Sequence, residues 1–460
     1  MRLYQNIAFY CTNKNTKNID CSNILNGNPG IGGSEYALWL LACSLETNYE
    51  DLNVIVYVDE LCLAPPFLKI KQVKDFQDLA KKTTDDNIQI LVLILADFSE
   101  NDKLSIFPDK LKLVIWASNF MSSKDLAYYT GKKSVSRVVC VGYEQLDLYR
   151  DHAIFKKSTA IYYGLSMNSV KKQSASIIPY SQRPLHVTYI GNIVPQKGFH
   201  MLAMAWPIIL KAYPDAVLNV IGSGKLYNRD AQLGEYGIAD SEYEKLFMPY
   251  LVDSKGEILS SVKFWGILGE EKRDILLKTR VGVPNPWGKT ETFGYTSIEM
   301  QVDGALVTTI KCPAYLETIC PTTSILYKNQ KRLHKVLAES VVTLLGRNDN
   351  HYEEVMNFID SNFSIDLKAQ EWYQLFTDII SNKEQPVTPI RANKKYRLKN
   401  WKEANRKIKN IIPFGYKLIP SLWHFEDKLW KFNTLLKRDH IMKHLLHKYI
   451  LRDRKNIMSL

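Results

Sequence analysis

The chain lacks the cysteine patterns and long apolar runs that mark secreted or membrane-spanning proteins. Its seven cysteines, at positions 11, 21, 43, 62, 140, 312 and 320, show neither C-x-x-C pairs nor the cysteine and histidine spacing of zinc sites, so neither a disulfide framework nor a zinc site is indicated. The most apolar stretch, 88–96, is far shorter than the ~20 residues that a bilayer-spanning helix needs. The N-terminus has no basic segment followed by an apolar core, so we expect no secretory signal. These absences favour a reducing cytosol.

The basic charge is confined to one end of the chain. Residues 391–460 contain 19 Lys and Arg against 5 Asp and Glu, whereas the residues before them contain 41 against 43. The body is therefore close to neutral, which argues against a nucleic-acid-binding surface there. Hydrophobic residues at 46% and charged residues at 23% are typical of a soluble globular protein.

Apolar runs rich in Val, Ile and Tyr alternate with helical patterns, as in βα units around a parallel sheet. In the first half the runs lie at 5–10, 53–58, 88–96, 113–116 and 137–141, with a helix over about 34–45; in the second half they lie at 185–190, 217–221, 262–265, 281–283, 306–309 and 324–327. This repetition predicts an α/β protein with two Rossmann-like domains that face a cleft. Ligands of such a cleft lie at the carboxyl ends of the strands.

Changes in composition predict the domain boundaries. The polar segment 166–184 ends in proline and is typical of a linker. We therefore predict an N-terminal domain over 1–165, which would face the acceptor, the linker 166–184, and a second domain over 185–366. A returning helix and linker would follow over 367–390, and a basic amphipathic helical tail over 391–460.

The strongest chemical signal is the run N-P-W-G-K-T-E-T-F-G-Y-T-S-I-E at 285–299. It predicts a strand end, a loop that carries Glu291, and a helix that carries Glu299. Amides from Gly294 onward would face an anion at the positive end of the helix dipole, and the carboxylate of Glu299 would accept hydrogen bonds from a vicinal diol such as a ribose. For an isolated pair, two solvated glutamates would be the simpler interpretation, but the surrounding pattern favours a site.

This run resembles the retaining glycosyltransferases of family 4, whose E-x7-E motif matches Glu291 and Glu299. A second match is Y-I-G-N-I-V-P-Q-K-G at 189–198, which is similar to the family's G-R-x-x-x-x-K-G loop. Lys197 of this loop would neutralise the diphosphate that leaves when the glycosidic bond breaks. The family usually has arginine where this chain has Asn192, so one expected phosphate cation is missing. Lys225 is a candidate substitute, although a solvated lysine is equally compatible with the sequence.

Weaker likenesses extend the resemblance. The run V-K-F-W-G at 262–266 resembles the segment that contacts the nucleotide base, and G-I-G-G-S-E at 30–35 resembles the glycine-rich loop of the first domain. The family's sugar-binding histidine is absent, and Ser118 or Asn119 stands near its place. The resemblance thus implies Glu291 and Lys197 as catalytic residues and Gly32, Ser118 and Asn119 on the acceptor or sugar side. The implied donor-binding residues are Gly33, Asn192, Lys197, Gly222, Trp265, Phe293, Gly294, Tyr295 and Glu299.

The resemblance implies a GT-B enzyme that moves a hexose from a UDP- or GDP-sugar to a saccharide or lipid-linked acceptor, with retention at the anomeric carbon. It implies no metal and no tightly bound cofactor, and a bacterial role in surface-polysaccharide or lipopolysaccharide synthesis. No D-x-D motif of the GT-A type is present. Two alternatives stay open: another GT-B enzyme such as a sugar-nucleotide epimerase, and a non-enzymatic protein whose basic tail binds nucleic acid or membrane.

The tail combines positive charge with apolar residues at helical spacing. We expect it to hold the protein on the cytoplasmic face of an anionic membrane through its lysines and arginines, with Trp423 and Trp430 in the headgroup layer and no role in nucleic-acid binding. The alternative is a pair of helices that packs on the N-terminal domain. The apolar positions are Leu422, Phe425, Leu429, Phe432 and Leu436, followed by Ile441, Met442, Leu445, Leu446, Tyr449 and Ile450.

Overall fold

The computed structural model describes residues 5–95, 100–167, 170, 176–288, 290–328, 331–391 and 398–429. Two parallel sheets organise these residues. The first sheet comprises β1 (Gln5–Cys11), β2 (Leu52–Val58), β3 (Lys69–Gln72), β4 (Ile90–Ile94), β5 (Lys112–Ala117), β6 (Val135–Cys140) and β7 (Ser158–Ala160). Its order is β3-β2-β1-β4-β5-β6-β7, with all neighbours parallel.

The second sheet has the same plan. It comprises β8 (His186–Ile190), β9 (Val217–Ile221), β10 (Val262–Gly266), β11 (Thr279–Gly282), β12 (Leu306–Ile310) and β13 (Ile325–Tyr327). Its order is β10-β9-β8-β11-β12-β13, again parallel throughout. The order reverses between β1 and β4 in the first sheet and between β8 and β11 in the second, and such reversal points open the crevice where doubly wound folds bind ligands.

Helices cover both faces of each sheet, so the central strands are buried on both sides. Along β1, Ile7 and Phe9 belong to one core cluster and Ala8 to the cluster on the opposite face, as expected of residues that alternate across a strand. The helices of the first domain are Gly33–Asn48, Phe76–Asp85, Ser123–Gly131 and Tyr143–Leu148; those of the second are Phe199–Ala212, Ser241–Phe247, Lys272–Leu276, Tyr295–Val302, Tyr315–Thr318 and Leu333–Leu345.

After the second sheet the chain returns to the first domain. The helices Tyr352–Phe363 and Ile365–Ile380 contribute to the core cluster that contains β1. The ring of Trp372 meets Trp116 edge-on at 4.9 Å between centroids, and Phe376 meets Phe9 at 6.4 Å. The last helix of the globular part therefore completes the core of the first domain.

The described part of the tail packs on the first domain. It contains the helices Lys399–Ile411 and Gly415–Leu418 and a helix that begins at residue 422 and continues to residue 429. The ammonium group of Lys409 donates to the carbonyl oxygen of Asp151 at 2.6 Å. The carboxylate of Asp151 accepts from the Ser421 hydroxyl and from the Leu422 amide, at 2.8 and 2.7 Å.

This packing corrects one expectation and leaves another outside the structure. The indole of Trp423 donates to the carbonyl of Met121 at 3.0 Å and packs edge-on against Tyr149, so its ring faces the first domain rather than a headgroup layer. The predicted helical repeat over 430–460, with Trp430, lies outside the described residues. Within the described parts of the chain, no helix is long and apolar enough to cross a membrane.

Candidate functional site

A cleft of about 1110 Å³, counted with the solvent-filled space at its mouth, lies between the two domains. Its floor is formed by residues that directly follow strands of the second sheet, among them Asn192 after β8 and Gly222 after β9. The N-terminal end of the helix Tyr295–Val302 forms one side, and the loop around Gly33 of the first domain faces it. The cleft thus lies where the strand order predicts a ligand.

Glu291 is held by three hydrogen bonds at the side of this cleft. Its Oε2 accepts from the Lys197 ammonium at 2.9 Å and from the Asn285 amide at 3.0 Å, while its Oε1 accepts from the Gly294 backbone N–H at 2.9 Å. Gly294 has a left-handed φ of 81°, and a Cβ there would lie 2.5 Å from the Tyr315 ring. Glycine at this position therefore allows the backbone turn that presents its N–H to Glu291.

The pair of Lys197 and Glu291 is charged on both sides. Burial alone would raise the pKa of Glu291, but Lys197, Asn285 and the Gly294 N–H together hold it below its ordinary value. Burial alone would lower the pKa of Lys197, but the neighbouring Glu291 raises it above its ordinary value. A fixed ammonium group therefore stands in the cleft at neutral pH.

The second glutamate of the motif has its own lysine. Glu299 Oε1 lies 2.9 Å from the ammonium nitrogen of Lys272, and both side chains are largely buried. Burial would lower the pKa of Lys272, but Glu299 and Glu270 raise it. Lys197 and Lys272 are the Lys and Arg side chains among the described residues that line the cleft, and each is paired with one glutamate of the E-x7-E motif.

Asn192 carries a neutral amide whose oxygen is available to accept a hydrogen bond. The residue is 5% exposed, it lines the cleft, and its Oδ1 has no hydrogen-bond partner among the residues that the structure describes. A buried polar atom without a partner is costly unless a ligand satisfies it. The oxygen is able to accept a hydrogen bond from a ligand hydroxyl, but an amide cannot neutralise a phosphate.

Gly222 closes the floor through close backbone contact. It has a φ of 133°, and a Cβ there would lie 1.9 Å from the Gly191 carbonyl oxygen.

We expect Gly222→Ala to lower Tm by at least about 4 °C more than Gly237→Ala. Gly237 is the matched control, because its φ of 68° is also left-handed but a Cβ there would meet nothing within 4 Å. Thermal unfolding followed by circular dichroism measures both, and equal Tm values would contradict the close approach.

Direct hydrogen bonds hold the two domains together around the cleft. The Thr292 hydroxyl donates to the Ser118 carbonyl at 2.6 Å, and the Arg229 guanidinium donates to the Gly30 carbonyl at 2.9 Å. The Tyr295 hydroxyl donates to the carbonyl of Gly164. The loops of the first domain are thereby placed opposite Glu291 and Glu299.

The structure brings most of the predicted site residues together. Trp265, Gly32 and Lys225 do not line the cleft; the indole of Trp265 donates to Asn219 Oδ1 at 3.0 Å and its side chain is 43% exposed. Those that line it are Gly33, Ser118, Asn119, Asn192, Lys197, Gly222, Glu291, Phe293, Gly294, Tyr295 and Glu299.

Sequence reasoning missed Lys272 and Tyr227, which also line the cleft. The run that contains Lys272 carries no motif, so only packing of the short helix Lys272–Leu276 beside Glu299 reveals it. In the part of the chain that the structure describes, no group of three or more His, Cys, Asp or Glu could hold a metal ion.

Comparison with known proteins places this arrangement among solved folds. The sucrose-phosphate synthase of Thermosynechococcus elongatus matches with a TM-score of 0.61 at 15% identity, over 82% of this chain and 100% of that one. A glycosyltransferase of Rickettsia africae matches with 0.58 at 12% identity, over 83% and 100%. HepE of Anabaena, solved with UDP and glucose, matches with 0.55 at 15% identity, over 82% and 100%.

The chain has the GT-B fold. The predicted pair of Rossmann-like domains is thereby confirmed. No protein-family model and no curated protein matches the sequence. At identities of 12 to 15% the likeness to the solved structures extends to the fold alone.

Proposed function

We propose that the protein is a glycosyltransferase that takes a sugar from a nucleotide-sugar donor bound in the cleft. The observation that carries the proposal is the pairing of both motif glutamates with lysines, Glu291 with Lys197 and Glu299 with Lys272, at the carboxyl ends of the second sheet. A buried cation, Lys272, and a partly buried one, Lys197, suit an anionic leaving group, and two carboxylates suit sugar hydroxyls. The GT-B fold supports this use of the cleft.

The diphosphate of the donor would lie between Lys197 and the positive end of the helix Tyr295–Val302. As the glycosidic bond breaks, negative charge grows on the leaving oxygen, and a preorganised ammonium group stabilises that charge without rearrangement. Glu291 keeps Lys197 charged and in place. Its carboxylate would also orient hydroxyls of the donor sugar beside the reacting carbon.

Lys272, rather than Lys225, would supply the cation that Asn192 does not. When ribose hydroxyls donate to Glu299, the carboxylate would gain partners and the ammonium of Lys272 would be released toward the diphosphate. The charges support this exchange, because the two lysines that line the cleft are balanced by the two motif glutamates and the donor adds negative charge. The chemistry of the departing diphosphate would then need no metal ion and no tightly bound cofactor.

The finer features of the function are proposed on the resemblance to family 4. Transfer would retain the anomeric configuration, with the acceptor hydroxyl attacking from the face that the diphosphate leaves. UDP-glucose is the first donor to test, because HepE has been solved with it. The acceptor would be a saccharide or lipid-linked saccharide at the inner face of a bacterial cell membrane, in surface-polysaccharide or lipopolysaccharide synthesis.

Within the described part of the tail, the arrangement of the lysines does not favour the nucleic-acid alternative. Lys399, Lys402 and Lys409 are buried against the first domain, where Lys399 pairs with Glu144 and Lys402 donates to the Leu148 carbonyl. Phosphates of a nucleic acid would have to displace these contacts.

Glu299→Gln should weaken binding of the nucleotide more than it slows the chemistry. Titration calorimetry with UDP, GDP and their monophosphates first identifies the preferred nucleotide. For that nucleotide we expect Glu299→Gln to raise Kd by roughly tenfold for the monophosphate, because the ribose contact is lost, and by less for the diphosphate, because the freed Lys272 ammonium also faces the second phosphate. Glu339→Gln is the control, since Glu339 is an exposed glutamate on the helix Leu333–Leu345. Equal Kd values in wild type and Glu299→Gln would remove the ribose contact.

Lys272→Met should show the opposite selectivity. Its Kd should rise more for the diphosphate than for the monophosphate, because the lost charge faces the second phosphate as well. Lys278→Met, a change at an exposed lysine just beyond the same short helix, should bind both as wild type does. A uniform loss of both nucleotides in Lys272→Met, with unchanged Tm, would contradict the role of Lys272 as the second phosphate cation.

A further inference from the structure

Exposed apolar residues concentrate in the described part of the tail. Segment 398–429 is less than a tenth of the chain, yet it holds half of the large hydrophobic side chains that the described residues expose. Single exposed hydrophobic residues are ordinary on a protein surface, but a contiguous cluster marks a contact surface. The nine are Leu398, Trp401, Ile408, Ile411, Ile412, Phe414, Leu418, Phe425 and Leu429.

The helix Lys399–Ile411 exposes its apolar face and buries its basic face, the reverse of an ordinary surface helix. Trp401, Ile408 and Ile411 stand on one face, spaced by seven and three residues, and face solvent; Trp401 is 72% and Ile411 81% exposed. The buried face carries Lys402 and Lys409, at 0% and 3% exposure. A helix normally buries its apolar stripe.

The buried lysines explain how the helix is held in this orientation. Lys402 donates to the Leu148 carbonyl at 2.6 Å and pairs with Glu426. Lys409 donates to the Asp151 carbonyl. The lysines of the basic face thus bind acceptors of the first domain and of the tail itself, and the apolar face is exposed to solvent.

The turn directly after the helix adds further exposed apolar residues. Phe414 is 74% exposed and has a φ of 57°, a left-handed conformation that bulky residues rarely adopt. Gly415 beside it is packed so closely that a Cβ would lie 2.3 Å from the Lys409 carbonyl oxygen. Leu418 follows at 70% exposure. The backbone therefore holds an aromatic ring and a leucine away from the body.

The rim of this surface is positive. The exposed charged side chains of segment 398–429 are Lys407, Lys417 and Lys428. The acidic residues of this segment already have partners within the protein. Glu403 pairs with Arg406 and Arg150, and Glu426 pairs with Lys402. Asp427 accepts a hydrogen bond from the Ser123 backbone amide. Such a rim would repel a second copy of itself but is complementary to an anionic lipid surface.

We propose that the tail face, formed by Trp401, Ile408, Ile411, Phe414 and Leu418, inserts into the interfacial layer of an anionic membrane. The apolar residues enter the boundary between headgroups and acyl chains, as in an amphipathic helix that lies in the membrane plane. The rim lysines meet the headgroups. Binding is therefore carried mainly by apolar burial and only in part by charge, because most of the tail's described cations face the body. The proposal does not depend on the glycosyltransferase activity.

The test is sedimentation of the full-length chain with vesicles of phosphatidylglycerol and phosphatidylcholine, and with phosphatidylcholine vesicles alone. We expect wild type to bind the mixed vesicles, and the double variant Ile411→Ser, Phe414→Ser to bind them at least about tenfold more weakly. Raising the salt concentration from about 0.1 to about 1 M should weaken vesicle binding by wild type, but by less than the double substitution weakens it. Leu61→Ser, Leu63→Ser is the matched control, because both leucines are exposed on the first domain, at 63% and 68%.

Equal Tm and circular dichroism of the three proteins would show that the changes act at the surface. Three results would overturn the proposal: wild type that does not sediment with the mixed vesicles, a double variant that sediments as wild type does, or a control pair that loses binding equally. A wild type that dimerises in the ultracentrifuge, with a monomeric double variant and no vesicle binding, would assign the tail face to a second copy instead.

Discussion

Lys197→Ala should lower kcat/KM for the nucleotide-sugar donor by a factor on the order of 100 or more. The ammonium group is the cation of the cleft that Glu291 fixes at 2.9 Å, and its pKa is raised, so it is charged at the pH of the assay. Its removal leaves the departing diphosphate with Lys272 alone among the described cations of the cleft. Initial rates of nucleotide release at several donor concentrations measure the effect.

The control for Lys197→Ala is Lys211→Ala. Lys211 lies in the last turn of the helix Phe199–Ala212, the helix that directly follows the Lys197 loop, and it is exposed. Its removal should leave kcat/KM unchanged. If Lys197→Ala turns over at the wild-type rate, Lys197 does not stabilise the leaving group and the donor site has been placed wrongly.

Glu291→Gln should reduce kcat by about 100-fold while leaving the Kd of the free nucleotide diphosphate unchanged or lower. Glutamine retains an acceptor for the Gly294 N–H, but it removes the charge that pairs with Lys197 and orients the donor sugar. The ammonium group, no longer neutralised, would hold the free diphosphate at least as well. Measurement of kcat by nucleotide release and of Kd by calorimetry separates the two effects.

The pH profile gives Glu291→Gln a second readout. Burial lowers the pKa of Lys197 and Glu291 raises it, so loss of the glutamate charge should lower that pKa. The alkaline limb of kcat/KM should therefore move to lower pH in the variant, because a neutral amine cannot stabilise the leaving diphosphate. A tenfold weaker diphosphate affinity with an unmoved alkaline limb would mean that Glu291 supports the fold of the loop rather than the reaction.

Most strands were predictable from sequence because parallel strands that are buried on both faces are continuous apolar runs. The sequence did not predict the strand β3, Lys69–Gln72, because it is a polar and largely exposed edge strand without an apolar run. The strand β7, Ser158–Ala160, has three residues and no apolar run. In the first sheet the sequence pattern thus identifies the interior strands and misses both edges, whereas the edge strands β10 and β13 of the second sheet contain enough apolar residues to be predicted.

The site was predictable where local chain geometry places it. Glu291 and Gly294 lie three residues apart, and the Gly294 backbone N–H donates to the Glu291 carboxylate. The local conformation of the loop is therefore enough to bring them together. Lys272 reaches Glu299 across 27 positions of sequence and by tertiary packing alone. The direction of the Trp265 ring depended on its bond to Asn219 on the neighbouring strand, which no local pattern specifies.

The tail was amphipathic by sequence, but the face that would be buried was not determined by that pattern. An ordinary helix would bury Ile408 and expose Lys409. The structure does the reverse, because the carbonyl of Asp151 and the other acceptors of the first domain take up the lysines. Acceptors that are distant in sequence decided the orientation.

The most direct test of the cleft as a donor site is incubation of the purified protein with a panel of UDP- and GDP-sugars, with and without a saccharide acceptor. We expect that at least one donor releases its nucleotide, that an acceptor accelerates the release, and that Lys197→Ala slows it by a factor on the order of 100 or more. The anomeric configuration of the product is read by NMR, and retention is expected. Contradiction would come from a wild-type protein that binds no nucleotide sugar, or one that converts the donor to an epimer and transfers nothing.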